Sequence, residues 1–309
     1  MMIRACERGD QPRPGSAKAG WRIVNRIESL FVTIYVLELV GATAVTSLGW
    51  AACRILKIDW APFGPLWFAG YLFVYNLDRL YPDPADPMNV PVRSRKTAEL
   101  RSARISLIFL ASLVLIAWPL LVGPWWLVLA MAFGVALLQF YSRPIPGVGH
   151  RFKDLPYLKS LFVPGIIASV LVVWPCLENA RSFRLKECLV FLLCLLVLTI
   201  NSLVFDYRDV AGDAAVGTGT LPVRLGRKNT IRLLLILVLA LTGVSWWLGA
   251  SGSVSPATPA VLAGGGAGLL LSLFSQFRPM TISVFADLFL MLPAVVQFLA
   301  GISVWAPPH

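Results

Sequence analysis

Charge is scarce in this chain. Only 14% of its 309 residues are Asp, Glu, Lys or Arg, while 57% are hydrophobic. An ordinary soluble domain carries about 25% charged residues, so a conventional soluble fold is excluded. Histidine is almost missing: there are two, and His150 has no second ligand beside it. The five cysteines (Cys6, Cys53, Cys176, Cys188 and Cys194) form no CxxC pair and have no His nearby. That argues against a zinc site or a dithiol motif and leaves buried thiols as the reading for those in or beside apolar runs. Apolar and polar residues do not alternate, which sets aside strands and a transmembrane barrel.

What is abundant is the long apolar run. Nine such runs are expected to cross a bilayer, at about 29–53, 61–80, 103–122, 125–142, 157–176, 187–206, 230–250, 257–276 and 282–303. The fold class that follows is an all-α polytopic membrane protein, a bundle of about nine transmembrane helices. Residues 1–26 are polar and basic and are expected to be a flexible arm. Residues 27–309 are expected to form one membrane domain. The first apolar segment is long enough to span, so a retained first helix is expected rather than a cleaved signal.

The net charge of +11 raises the question of nucleic acid, but its placement answers it. Of the 27 Lys and Arg residues, 22 fall on the N-terminal arm and the exits of the even-numbered runs. Arg54, Lys57, Arg181, Arg184 and Lys186 fall on the other face. This is the distribution that orients spans in a membrane, and it puts the N-terminus and the even exits on the cytoplasmic side. The partner it implies is the lipid bilayer, not nucleic acid.

Six of the sixteen acids gather at two of those exits. Asp206, Asp209 and Asp213 follow the sixth run at spacings of three and four, which share one stripe of a helix. Asp78, Asp83 and Asp86 follow the second run, where Pro82, Pro84 and Pro87 preclude a regular helix. Basic residues stand beside them: Arg79, Arg93, Arg95 and Lys96. Facing carboxylate clusters with interleaved cations suit Mg²⁺ and a diphosphate, the metal bridging acid and phosphate oxygens. They are also compatible with paired loop charges at a membrane surface. Tyr141, Arg143, Arg151, Lys153 and Lys159 follow the fourth run on the same face, as candidates for a diphosphate, for lipid head groups or simply for topology. Glu38 and Asp287 lie within apolar runs, where an ionised group costs about 2.5–3.5 kcal/mol. Each is expected either to line a chamber or to pair with a hydroxyl or amide inside the bundle. Asn201 lies on the membrane side of Asp206 and could point into the same chamber. The run Gly264–Gly266 fits close helix packing better than phosphate binding.

The stretch DYRDVAGDAAVGTGTLPVRLG resembles the second aspartate motif of UbiA-type intramembrane prenyltransferases. Asp209 and Asp213 match its D-x-x-x-D, Asp206 the preceding acid, and Gly217 and Thr220–Gly226 its tail. In the first motif Asp78-Arg79, Asp86, Asn89 and Arg93 find counterparts. There the chain departs from the family pattern: about four extra residues, Asp83 among them, intervene. Val74-Tyr75 stand where a leading Asn-Asp belongs, with Asn76 displaced beside them.

The resemblance implies Mg²⁺-dependent transfer of an isoprenoid chain from an allylic polyprenyl diphosphate to a lipophilic, aromatic acceptor. It implies metal binding by Asp78, Asp83, Asp86, Asp206, Asp209 and Asp213, with Asp78, Asp86, Asp209 and Asp213 catalytic. It further implies substrate contacts from Asn76, Arg79, Asn89, Arg93, Tyr141, Lys153, Asn201 and Arg224, and an aromatic chamber drawing on Phe73, Tyr75, Phe140 and Phe205. The altered first motif leaves a non-catalytic isoprenoid-binding role as an alternative. An ion-coupled transporter using Glu38 and Asp287 is another, although no convincing internal repeat supports it.

Overall fold

The computed structural model describes residues 29–81, 85–122, 158–274 and 279–304, together with isolated helical positions 132, 134 and 136. The N-terminal arm, Asp83, the expected fourth span, Tyr141 and Lys153 lie outside the described residues, as does Phe140. Among the described residues there is no strand. Helix α1 covers 29–36, followed by α2 (Leu39–Leu56), α3 (Gly64–Asp78), α4 (Asp86–Asn89), α5 (Pro91–Glu99) and α6 (Arg101–Val122). Then come α7 (Leu158–Ala168), a π-helical turn (Ser169–Val173) and α8 (Trp174–Glu178). The chain ends with α9 (Leu185–Arg208), α10 (Val210–Ala215), α11 (Leu221–Ala250), α12 (Thr258–Phe274) and α13 (Pro279–Val304).

Among the described residues, six segments are long and apolar enough to cross a membrane: Leu39–Leu56, Arg101–Val122, Ser160–Glu178, Leu185–Arg208, Leu221–Ala250 and Pro279–Gly301. Helix α12 is apolar but shorter. Proline sets several helix starts, where its missing N–H costs nothing: Pro65 in α3, Pro87 in α4, Pro91 in α5 and Pro222 in α11. The α9 start is instead closed by Glu187, whose carboxylate accepts the Arg184 N–H at 3.1 Å.

Helix α9 is the axis of the bundle. It packs on α2, α7, α11 and α13, while α3 lies between α2 and α6. Its buried side includes Val190, Leu193, Cys194, Val197, Ile200, Leu203 and Val204. Cys53 and Cys176 join Cys194 in this core as free thiols, whereas Cys188 is exposed. The outer helix α6 is nearly the reverse of α9, with Ile105, Phe109, Leu110, Leu113, Ile116, Leu120 and Leu121 uncovered. In a lipid solvent such a face is satisfied, since acyl chains are as apolar as leucine.

One expected span is broken, and a second helix is interrupted just before its expected start. The first stops at Val36 and restarts at Leu39, with Glu38 in the left-handed region (φ 65). The carbonyls released there are not left bare, as membrane interiors require. Arg104, fully buried, donates to the Val36 carbonyl at 2.6 Å, and Asn76 donates to the Leu37 carbonyl at 3.1 Å. Helix α11 starts well before the expected 230 and is interrupted at Gly226 (φ 71, ψ 165), a backbone state that glycine adopts without strain.

The Gly264–Gly266 run does serve packing. A Cβ at Gly266 would meet Val238 Cγ1 of α11 at 2.6 Å, whereas one at Gly264 meets nothing within 4 Å. Gly266→Val is therefore expected to destabilise the bundle by about 1–3 kcal/mol. Gly264→Val should be nearly silent. Thermal unfolding in lipid nanodiscs checks the pair, and equal effects would show that the α11–α12 contact is not the cause.

Candidate functional site

The exits of α3 and α9 meet at one end of the bundle and enclose a cavity of about 260 Å³. Asp78 closes α3. Asp86 opens α4, as the prolines around it dictate. On the other wall Asp206 lies in the last turn of α9, Asp209 sits at the junction, and Asp213 lies in α10. All five line the cavity. The stripe expected for Asp206, Asp209 and Asp213 is not on one continuous helix. Asp209 (φ −91, ψ 3) ends α9 and begins α10, so the chain turns between the acids.

One hydrogen bond fastens the two walls together. Asn89 Oδ1 accepts the Gly212 N–H at 2.9 Å, so α4 is bound to α10. The approach is close enough that any Cβ at residue 212 would overlap the Asn89 amide. Asn89 is therefore a bridge as well as a lining residue.

Cations interleave with the acids. Arg79 Nη1 lies 2.9 Å from Asp86, and its Nε lies 3.6 Å from Glu38. Arg93 Nη2 lies 3.5 Å from the same Glu38 oxygen. Arg208 grips Asp209 with two bonds, of 2.7 and 2.6 Å, and its ring-facing side stacks on Phe205 at 5.0 Å. Burial disfavours the Arg79 charge, but Asp86, Glu38, Asp78 and Asp209 outweigh it and hold its pKa above the ordinary guanidinium range. Ser160 donates to Asp206 at 2.7 Å, anchoring α7 to the same wall.

Below this rim the walls are apolar and aromatic: Val45, Tyr71, Tyr75, Val163, Ile167, Leu198, Phe205 and Leu290. Tyr71 and Tyr75 stack with centroids 4.1 Å apart. Asn201 lines the cavity as expected, and so do Glu38 and Asp287. Neither hydroxyls nor amides explain Glu38: its partners are the two rim arginines. Phe73 packs instead against the smaller core between α2, α3 and α6.

Two expected contacts are corrected. Asn76 does not line the cavity; it is wholly buried and its amide is consumed by Leu37, Leu72 and Arg104. Arg224 is exposed and donates to the Gly219 carbonyl, outside the lining. Sequence reasoning missed Arg208 and Tyr35, both of which line the cavity. A signal existed for each. Arg208 is the one cation inside the DYRD stretch, and Tyr35 stands at i, i+3 from Glu38 on an otherwise apolar segment.

The donor set is suited to a hard cation. Among the described residues it consists of carboxylate oxygens, with no Cys or His at the rim. Among the described residues no three acids converge on one point. That fits Mg²⁺, which keeps several waters and takes one or two carboxylates together with substrate phosphate oxygens.

The UbiA prenyltransferase family model matches residues 89–292. The match begins at Asn89, after Asp78 and Asp86, and contains the whole second acidic stretch. No curated protein sequence matches. A solved structure of a digeranylgeranylglyceryl phosphate synthase in membranes is similar in fold, with a TM-score of 0.53 and 14% identity. The likeness covers 89% of this chain and 99% of that one.

Asn89→Ala would strand the buried Gly212 N–H, at a cost of about 1–3 kcal/mol. The expected result is a lower unfolding midpoint together with faster proteolysis in the α4–α5 segment. Unchanged proteolysis would mean that the two acidic walls are held by something else.

Proposed function

We propose, from the premise that this chain belongs to the UbiA prenyltransferase family, that it transfers an isoprenoid chain from an allylic diphosphate to a lipophilic aromatic acceptor with Mg²⁺. Prenyl transfer within a membrane is the family's chemistry; donor, metal and acceptor are our reading. The observation that carries it is the convergence of both acidic exits and two rim arginines on one cavity with an aromatic floor. We place this rim, and the N-terminus, on the cytoplasmic side because the basic residues concentrate there.

Asp78, Asp86, Asp209 and Asp213 would share the metal-binding role, one or two carboxylates to each ion together with phosphate oxygens, with Asp206 beside them; Asp83, outside the described residues, is a further candidate. Bound Mg²⁺ supplies Lewis-acid charge to the phosphate oxygens. Arg79 and Arg93 neutralise the charge that grows on the diphosphate as the allylic C–O bond breaks and its electron pair leaves with oxygen. Their present partners, Asp86 and Glu38, hold them at the rim until an anion arrives. Tyr71, Tyr75 and Phe205 line the cavity and would offer aromatic quadrupoles to the allylic cation. Val45, Val163, Ile167, Leu198 and Leu290 keep water from it and lie along the isoprenoid chain. The acceptor's ring carbon forms the new C–C bond, and the proton it carried passes to the released diphosphate.

The test is diphosphate release by the protein in nanodiscs, with geranylgeranyl diphosphate and a panel of phenolic acceptors. Release is expected to require Mg²⁺ and to fall about 10²-fold or more in Asp78→Asn and Asp209→Asn, a loss typical of removing a preorganised charge. Saturable donor binding without release would favour the non-catalytic alternative. Release indifferent to Mg²⁺ and to both substitutions would overturn the assignment.

A further inference from the structure

Below the rim, the cavity contains a second polar group that the diphosphate reading does not use. Asp287 of α13 and Asn201 of α9 face the cavity, as does Tyr35 of α1. All three are more than nine-tenths buried. Tyr35 and Asn201 stand beside the Asp287 carboxylate. Asn201 Nδ2 is buried and has no partner at hydrogen-bond distance. A buried amide N–H without a partner is costly.

This group lies deeper than the metal-binding acids. Asn201 precedes Asp206 by five residues and Asp209 by eight, a rise of ~7.5–12 Å along α9, and Asp287 follows the α13 start by eight. A diphosphate seated at Asp78, Asp86 and Asp209 leaves this level for another group. A polar chain does join them: Arg208 bonds Asp209 and Ser283, and Ser283 neighbours Tyr35, which neighbours Asp287.

The two groups are complementary. Asp287 accepts and Asn201 donates, and a hydroxyl is the small group that satisfies both at once, since it donates one proton and accepts on oxygen. An ether can satisfy only Asn201. The walls at this level, Val45, Tyr71, Leu198 and Leu290, demand an apolar or aromatic body. We infer that Asn201 and Asp287 form an acceptor subsite that seats a hydroxyl group of a lipophilic acceptor, beneath the diphosphate rim. The inference deepens the prenyl-transfer reading and depends on it for the word acceptor.

Equilibrium binding in nanodiscs tests it with a matched pair of probes, 4-nonylphenol and 4-nonylanisole, corrected for empty nanodiscs. Wild-type protein is expected to bind the phenol at least tenfold more tightly than the anisole. Asp287→Leu should abolish that preference while leaving anisole binding unchanged, whereas Asn201→Leu should weaken both probes and leave the phenol favoured through Asp287. The exchange Asn201→Asp with Asp287→Asn keeps one donor and one acceptor and should restore part of the preference. Geranylgeranyl diphosphate binding, measured on the same samples with Mg²⁺, reports that each variant is folded and should change less than twofold. Equal binding of the two probes by wild-type protein overturns the subsite. So does loss of donor binding in every variant, which would assign the pair to the diphosphate site or to the scaffold. If wild-type protein ignores the diphosphate yet discriminates the probes, the prenyl-transfer reading fails and the hydroxyl subsite stands.

Discussion

Ionised groups inside an apolar bundle must be matched to one another, because the surroundings offer them little else. This constraint shapes the rim of the cavity. Arg79 lies between Asp86 and Glu38, Arg93 shares Glu38, and Arg208 is clasped by Asp209. Such pairs add little net stability, since their desolvation offsets most of the Coulomb gain. Their value is that they fix positions: a guanidinium held by two carboxylates has few places to go. The rim is thus assembled before any ligand arrives, and an incoming polyanion exchanges one set of partners for another rather than ordering loose side chains.

The same constraint explains the first helix. A continuous span would have carried Glu38 past the rim on a regular helical track. Breaking it at residues 37 and 38 turns that carboxylate toward the arginines, but exposes backbone carbonyls to the bilayer interior. Arg104 and Asn76 take those carbonyls, and Arg104 also bonds Asn76 and Thr97. A left-handed glutamate costs about 1–3 kcal/mol, and a buried arginine more unless it is fully bonded. Both are tolerated because each solves a problem posed by the other.

These couplings mark the boundary of what the sequence reveals. The apolar runs announce the helices, and their ends fall within a few residues of expectation wherever the polar break is short. The second acidic stretch is legible because its spacing is local, and three prolines announce that the helix carrying Asp78 does not run on to Asp86. What could not be read depends on residues far apart in the chain. Asn76 looks like a displaced ligand until Arg104, 28 positions later, is seen to occupy it. Arg224 belongs to a recognisable motif, yet the turn at Gly217–Thr220 directs it outward. The kink at Asp209 was hidden because spacings of three and four fit a helix whether or not it continues. Nothing local to Leu37 or Glu38, neither proline nor glycine, gives notice of the break.

The placement of Glu38 has a bearing on how such a chain can change over generations. A carboxylate supplied to the rim from the first helix relieves the stretch linking α3 to α4 of one of its duties. That stretch then has only to return Asp86 and Asn89 to their places, and the Asn89–Gly212 bond secures its far end whatever its length. A change in the length of that stretch need not displace Asp86 or Asn89, so long as the Asn89–Gly212 bond is kept.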